Sequence, residues 1–319
     1  MTQRQFGKSG WSPDTLPDQT GKTFVITGGN SGIGYDAARI LGARGANVTI
    51  LCRNQEKANT ALAELEQSAP EGSYQFIPLD LASLASVRTA AQSIRNATDR
   101  IDGLINNAGI MMVPERTLTA DGFETQFGVN HLGHFALNAA LCDLVEKAHG
   151  RFVSVASLAH KFARGFSFRD LTFGHKYSPS GVYAQSKLAN LVYARELNRR
   201  LENNGLNARA YACHPGYSAT NLQTTGPGNF LSMAMRPATA ILSQSAEKGA
   251  YPTVLCAADP NAVPGGYYGP TGFGEMTGPV DQAASTKISQ DKDIAVKLWD
   301  ASAKLTHSSW NIFESVSSL

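Results

Sequence analysis

The segment "SGVYAQSKLAN" sets Tyr183 and Lys187 four residues apart in a stretch of helical periodicity. One helix face therefore presents a phenol and an ammonium together. A free phenol, with a pKa near 10, is a poor proton carrier at neutral pH. A cation about 4 Å away, at an effective dielectric near 20, attracts the phenolate by about 4 kcal/mol. That lowers the phenol by up to roughly 3 units, into the range useful for proton transfer. The Y-x-x-x-K spacing alone recurs by chance on solvated helix faces, so its weight comes from what accompanies it. In "GRFVSVASLAH", Ser157 ends an apolar run. That is the C-terminal edge expected of a parallel strand, where a hydroxyl can hydrogen-bond a substrate oxygen. "LINNAGI" ends another run with Asn106, Asn107, Ala108 and Gly109, residues small enough to let a ring approach. "VNHLGHF" places Asn130 inside an amphipathic helix, where its amide needs a backbone or water partner, or exposure.

A second constellation lies in "TFVITGGNSGIGYDAARILGARGANVTILCRN". The apolar run Thr23–Thr27 is followed by Gly28, Gly32 and Gly34, and then by a helical pattern. Glycines there allow tight backbone conformations and remove side chains that would block a phosphate. The open N–H groups and dipole of the following helix favour a pyrophosphate. The spacing is G-x-x-x-G-x-G, not the G-x-G-x-x-G of the commoner dinucleotide fingerprint. The next apolar run ends at Cys52 and Arg53, where a site for NAD usually carries Asp or Glu. A guanidinium pairs with the extra phosphate of NADP, whereas a carboxylate repels it. Such a contact is worth about 1.5–3 kcal/mol, or roughly 10- to 150-fold in preference. Arg53 is therefore read as a selector for NADP(H).

The elements that must position these groups follow from the alternation of runs. Strands are expected at Thr23–Thr27, Val48–Leu51, Tyr74–Leu79, Gly103–Ile105, Arg151–Val155 and Ala208–Cys213. Helical periodicity lies between and beyond them, at Tyr35–Arg44, Gln55–Gln67, Leu84–Asn96, Phe123–Glu146, Val182–Glu202, Glu247–Ala257 and Asp291–Lys304. This pattern predicts an α/β fold: a doubly wound parallel sheet with helices on both faces, in three layers. One catalytic domain is expected over residues 20–305, after an extension at 1–19 and before a tail at 306–319 that is loose or docks late. Residues 217–245 mix Gly and Pro with Phe230, Leu231, Met233 and Met235 and read either as a substrate lid or as an ordinary surface loop with a short helix.

The 319 residues are 42% hydrophobic with net charge +2, enough for a large core and too balanced for a nucleic-acid surface. No run reaches the length of a membrane span, and the polar N-terminal stretch offers no leader-like apolar segment, so a cytoplasmic location is expected. Cys52, Cys142, Cys213 and Cys256 lie far apart and read as reduced thiols. His131 and His134 have metal-ligand spacing, but no further ligands cluster with them, so helix packing or polar contact is the expected role.

Taken together, "TGGNSGIG", "NNAG", Asn130, Ser157, "YAQSK" and "HPGYSAT" resemble, in order, the short-chain dehydrogenase/reductase family. "CRN", "NHLGHF", "SLAH" and "SKLAN" resemble its retinol-dehydrogenase-like branch, which includes protochlorophyllide-reductase-like and WW-domain-oxidoreductase-like members. The resemblance implies a Rossmann-type fold and NADP(H). It implies Tyr183 as proton donor or base, Lys187 on the nicotinamide ribose, Ser157 orienting the substrate oxygen, and Asn130 anchoring a relay water. Gly28, Asn30, Ser31, Gly32, Ile33 and Gly34 would cradle the cofactor phosphates, with Arg53 and Asn54 beside them. Asp80 and Leu81 would meet the adenine, and Asn107, Ala108 and Gly109 the adenosine side. Pro215, Gly216 and Thr220 would hold the nicotinamide end. Residues 161–181 would wall the site, and Met111, Met112, Phe166, Phe168, Phe173, Tyr177 and Tyr217 would favour a bulky, largely nonpolar ketone, aldehyde or alcohol. Homo-oligomerisation enters through the resemblance alone. Two other functions fit the same residues: reduction of a C=C bond, and a silent NADP(H)-binding regulator. Regulators of that kind usually lose the tyrosine or lysine, and this chain keeps both.

Overall fold

The computed structural model describes residues 4–217 and 245–314. Six apolar runs form β1 (Thr23–Thr27), β2 (Asn47–Cys52), β3 (Ser73–Pro78), β4 (Gly103–Asn106), β5 (Arg151–Val155) and β6 (Arg209–Cys213). Two further strands, β7 (Tyr267–Pro270) and β8 (Val280–Gln282), were not anticipated. Each is too short for a period-two pattern to register, and β7 carries Gly and Pro. The sheet order is β3-β2-β1-β4-β5-β6-β7-β8, parallel through β7, with β8 antiparallel at the edge.

Helices α1 (Gly32–Gly42), α2 (Gln55–Ser68), α3 (Leu84–Ala97), α4 (Gly133–Lys147), α5 (Pro179–Asn203), α6 (Ala246–Ala258) and α7 (Lys292–Thr306) cover both faces, and a short α8 spans Asn311–Glu314. Their starts are capped as the sequence allows: Asn54 accepts from the Lys57 amide, and Ser178 precedes Pro179 and accepts from Gly181. Strand side chains alternate between two cores. Phe24, Ile26, Ile105 and Val153 pack with Leu41 and Val254 of α1 and α6. Val25, Leu104 and Phe152 pack with Ile94, Leu141 and Leu188 of α3, α4 and α5. Three layers result.

The helix expected over Phe123–Glu146 is interrupted. One turn at Thr125–Phe127 runs into a π-helical turn, Gly128–Leu132, before α4, and the Gly133 N–H reaches back to the Gly128 carbonyl. π-turns of this kind often sit at functional sites. This one carries Asn130.

Both ends of the described chain join the fold. The Trp11 amide donates to Val280 (2.8 Å) and its indole to Asp259 (2.6 Å), while the Asp281 carboxylate accepts from the Gln5 and Phe6 amides. Trp310 and Ile312 are buried, and the Trp310 ring lies 4.8 Å from that of Trp299 and 5.6 Å from that of Phe135. Cys142, Cys213 and Cys256 are buried, Cys52 is half-buried, and all four are free thiols. Among the described residues no helix is long and apolar enough to cross a membrane. The predicted lid, but for its two end residues, and Thr220 lie outside the described residues.

Candidate active site

The parallel register levels Thr27 with Leu51, Asn106 with Ser154, and Val155 with Cys213. The segments that follow these strands therefore meet along one edge of the sheet. β1 stands between β2 and β4, where the strand order reverses, and the crevice at such a switch point is where open α/β sheets bind ligands.

At this crevice the glycine turn is built for close approach. Gly28 (φ +68°) and Gly32 (φ +53°) adopt left-handed backbone that favours glycine. A Cβ on Gly34 would lie 2.4 Å from the Gly28 carbonyl oxygen and 2.5 Å from Asn107 Nδ2. Ser31 occupies the N-cap of α1 without a side-chain cap bond, so the first amides of the helix remain open to an anion. Asn30 and Ile33 flank them, both half-buried. At the end of β2, Arg53 is exposed and makes no hydrogen bond or ion pair among the described residues. Asn54 beside it spends its side-chain oxygen on the α2 cap (2.8 Å). Asp80 Oδ1 accepts from the Ala82 amide (3.0 Å), and Leu81 is buried, its carbonyl 2.5 Å from where a Gly133 Cβ would stand.

The Thr27 hydroxyl ties this half together. It accepts from the amides of both Asn107 and Ala108 (2.9 Å each), while Asn107 Nδ2 donates to the Thr27 carbonyl (2.9 Å). Gly109 follows, and a Cβ there would be 3.1 Å from Asn130 Oδ1 and 3.4 Å from Lys187 Nζ. The "NNAG" segment thus reaches the proton-handling groups as well as the phosphate turn.

Tyr183 and Lys187 come from α5. Lys187 is buried, donates to the Val155 carbonyl (3.0 Å) and stands 5.9 Å from the Tyr183 ring centroid. The Ser157 side chain acts on the Tyr183 phenol, favouring its ionised form, and its hydroxyl accepts from the Ala159 amide (3.2 Å). Asn130 is fully buried: Oδ1 accepts from the Ile110 amide (2.8 Å), and Nδ2 donates to the Ile110 carbonyl and to Ser186 Oγ (2.9 Å each). Ser186 in turn donates to the Tyr183 carbonyl (2.8 Å), so the π-turn and α5 are bonded directly. At the end of β6, Gly216 (φ +69°) would place a Cβ 2.3 Å from the Met276 carbonyl, and its N–H donates to His214 Nδ1 (3.2 Å). Pro215 and Gly216 are half-buried at the same edge as Ser157.

The electrostatics correct one expectation. Lys187 does not bring the Tyr183 phenol down here. Burial raises the phenol above its ordinary value, and the Ser157 side chain is the opposing influence. Burial instead lowers the Lys187 ammonium to about 8. Helical spacing gives proximity, but here desolvation outweighs charge attraction. Residues 161–178 lie beside the site: Phe173 packs on Phe127 (5.6 Å), Phe166 and Phe168 are half-buried, and Tyr177 donates to the Val113 carbonyl. Met112 is exposed, with φ +56°. The sequence reading missed the roles of the Thr27 hydroxyl, Ser186 and Asn190. A polar residue closing an apolar strand was the available signal for Thr27.

Comparison with known proteins agrees with this geometry. The sequence profile described as short chain dehydrogenase matches residues 22–227. Human retinol dehydrogenase 13 is 39% identical over 300 residues, covering 92% of this chain and 86% of its own. The short-chain dehydrogenase TIC 32 A, chloroplastic, of Brassica napus is 36% identical, covering 97% and 98%. A crystal structure of an uncharacterized protein from Mycobacterium paratuberculosis superposes with a TM-score of 0.78 at 38% identity, covering 94% and 99% of the two chains.

Proposed function

The chain belongs to the short-chain dehydrogenase/reductase family, in its retinol-dehydrogenase-like branch, and we propose that it is an NADP(H)-dependent oxidoreductase acting on a bulky, largely nonpolar ketone, aldehyde or alcohol, with Tyr183 as acid and base. The observation that carries this reading is the convergence of the Tyr183 phenol, the Ser157 side chain that acts on it, and the Lys187 ammonium 5.9 Å from the Tyr183 ring.

The residues fit the cofactor. The Gly28–Gly34 turn admits no side chain at Gly34, as a pyrophosphate site requires, and the exposed Arg53 guanidinium, which pairs with no group among the described residues, suits the additional phosphate of NADP(H). Asp80 would meet the adenine, Lys187 the nicotinamide ribose, and Pro215, Gly216 and Thr220 the nicotinamide end. When bound, the cofactor supplies or accepts the hydride. The chain's own groups handle the oxygen. In reduction, the Ser157 and Tyr183 hydroxyls hold the carbonyl oxygen, and Tyr183 gives it a proton as charge develops there. A phenol kept neutral by its surroundings suits that donor role. The phenolate left behind is reprotonated from solvent through a relay water that Asn130 would anchor, on the Lys187 side of the site. In oxidation the same groups run in reverse.

Exposed Phe162 and Phe273 support a nonpolar substrate. They sit on two turns joined by the Lys161–Glu275 ion pair (2.7 Å), one of them leading directly from Ser157. The retinol dehydrogenases among the relatives point the same way.

A carbonyl panel followed by loss of NADPH absorbance tests the activity. Tyr183→Phe should lower kcat by about 100- to 10,000-fold while NADPH affinity stays close to wild type. Near-normal turnover in that variant refutes the mechanism.

A further inference from the structure

Two buried imidazoles flank Asn130 and take no part in the chemistry described above. We propose that His134, with His131, is a positioning residue that fastens the π-helical turn to the cofactor clamp on one side and to the support of Lys187 on the other. The inference rests on the reading of Asn130 and Lys187 as members of the catalytic group.

The hydrogen bonds fix the tautomer of His134. Its Nδ1 lies 3.1 Å from the Asn130 carbonyl, which can only accept, so Nδ1 carries the proton. Nε2 is then a lone pair, 2.8 Å from the Thr27 hydroxyl, which must donate to it. The other close contacts of that hydroxyl are the incoming amides of Asn107 and Ala108. Its alternative acceptor, the Ile105 carbonyl, is 3.4 Å away. His134 therefore aims the Thr27 proton away from the two amides and leaves its lone pairs facing them. A single imidazole connects the turn that holds Asn130 to the clamp that holds the "NNAG" segment.

His131 completes the opposite side. Its Nε2 lies 2.8 Å from Ser302 Oγ on α7, and the Asn190 side chain acts on its ring, favouring the protonated form against the larger effect of burial. Asn190 Nδ2 donates to the Val155 carbonyl (3.1 Å), the same oxygen that receives Lys187 Nζ. The path from α7 to the catalytic ammonium thus runs through His131. Both rings are buried, and burial lowers His134 to about 4 and His131 to about 3. Both remain neutral through the working range, so they act as fixed connectors and not as proton carriers. The two imidazoles, expected to serve helix packing or polar contact, go to different partners, and the Nε2 lone pair of His134 is engaged by the Thr27 hydroxyl.

The test uses the intact protein. Nitrogen NMR of histidine-labelled wild type should show His134 as the Nδ1–H tautomer with no titration between roughly pH 5 and 9. An Nε2–H tautomer, or a titration in that range, overturns the proposal whether or not any variant folds. His134→Leu and Thr27→Val should each weaken NADPH binding and lower kcat, by up to about 100-fold for misplaced catalytic groups. The double variant should be no worse than Thr27→Val alone, because that change already removes the connection that His134→Leu breaks. A folded His134→Leu with wild-type NADPH affinity and kcat, or losses that multiply in the double variant, refutes the assignment. NADPH affinity and the tautomer are read without turnover, so failure here is distinguishable from failure of Tyr183 as the acid.

Discussion

Lys187 should be a liability to the folded state, and Lys187→Met measures how large. The ammonium is buried and burial depresses it from an ordinary value of 10.5 to about 8. Below pH 8 the folded protein carries a desolvated charge that the unfolded chain carries in water. Between about 8 and 10.5 the unfolded state binds the extra proton, so native stability rises with pH across that window. The shift of about 2.5 units corresponds to about 3 kcal/mol at neutral pH. Methionine matches the unbranched stem, and the Val155 carbonyl keeps the Asn190 donor at 3.1 Å. Lys187→Met should therefore be inactive yet more stable, with a melting temperature up by about 4–5 °C for a chain of this length. Denaturant titrations without cofactor at a series of pH values provide the assay. The advantage of the variant should be full below pH 8 and shrink by about 1.4 kcal/mol per unit toward pH 10.5. An advantage that does not change with pH, or a loss of stability throughout, refutes the reasoning.

Arg53→Asp should reverse cofactor preference, moving the NADPH-to-NADH ratio of kcat/KM by about 10- to 150-fold; an unchanged ratio removes Arg53 from that role. Trp310→Ala should cost about 3–5 kcal/mol in urea unfolding, because the indole packs among Phe135, Tyr193 and Trp299. A loss below about 1 kcal/mol would show that the aromatic cluster closes without it.

Much of the layout was legible because the central strands are buried on both faces and read as continuous apolar runs. β7 and β8 were not, since "YYGP" and "VDQ" are too short to show a period. The π-turn was invisible for a different reason: one extra residue in a helical turn barely alters hydrophobic spacing, and what defines it is the backbone bond from the Gly133 N–H to the Gly128 carbonyl. Tyr183, Lys187 and Ser157 were found through residue type and position. Their supports, Thr27, Ser186 and Asn190, act through hydrogen bonds between distant segments that no local pattern encodes. The direction of the Tyr183 shift was misjudged because spacing along a helix reports distance and says nothing about desolvation.

The clasp between Trp11 and Val280 joins an earlier-made segment to one that follows it by about 270 residues. At 5–20 residues per second, the N-terminal strap waits roughly 15–50 s for its partner. Until then the Trp11 backbone has no strand to pair with, and the nascent chain carries an open seam. Closure across so long a stretch of sequence is entropically slow. The half-made protein is thus the state most in need of a chaperone, and the strap is the part whose protection reports when synthesis has delivered a finished sheet.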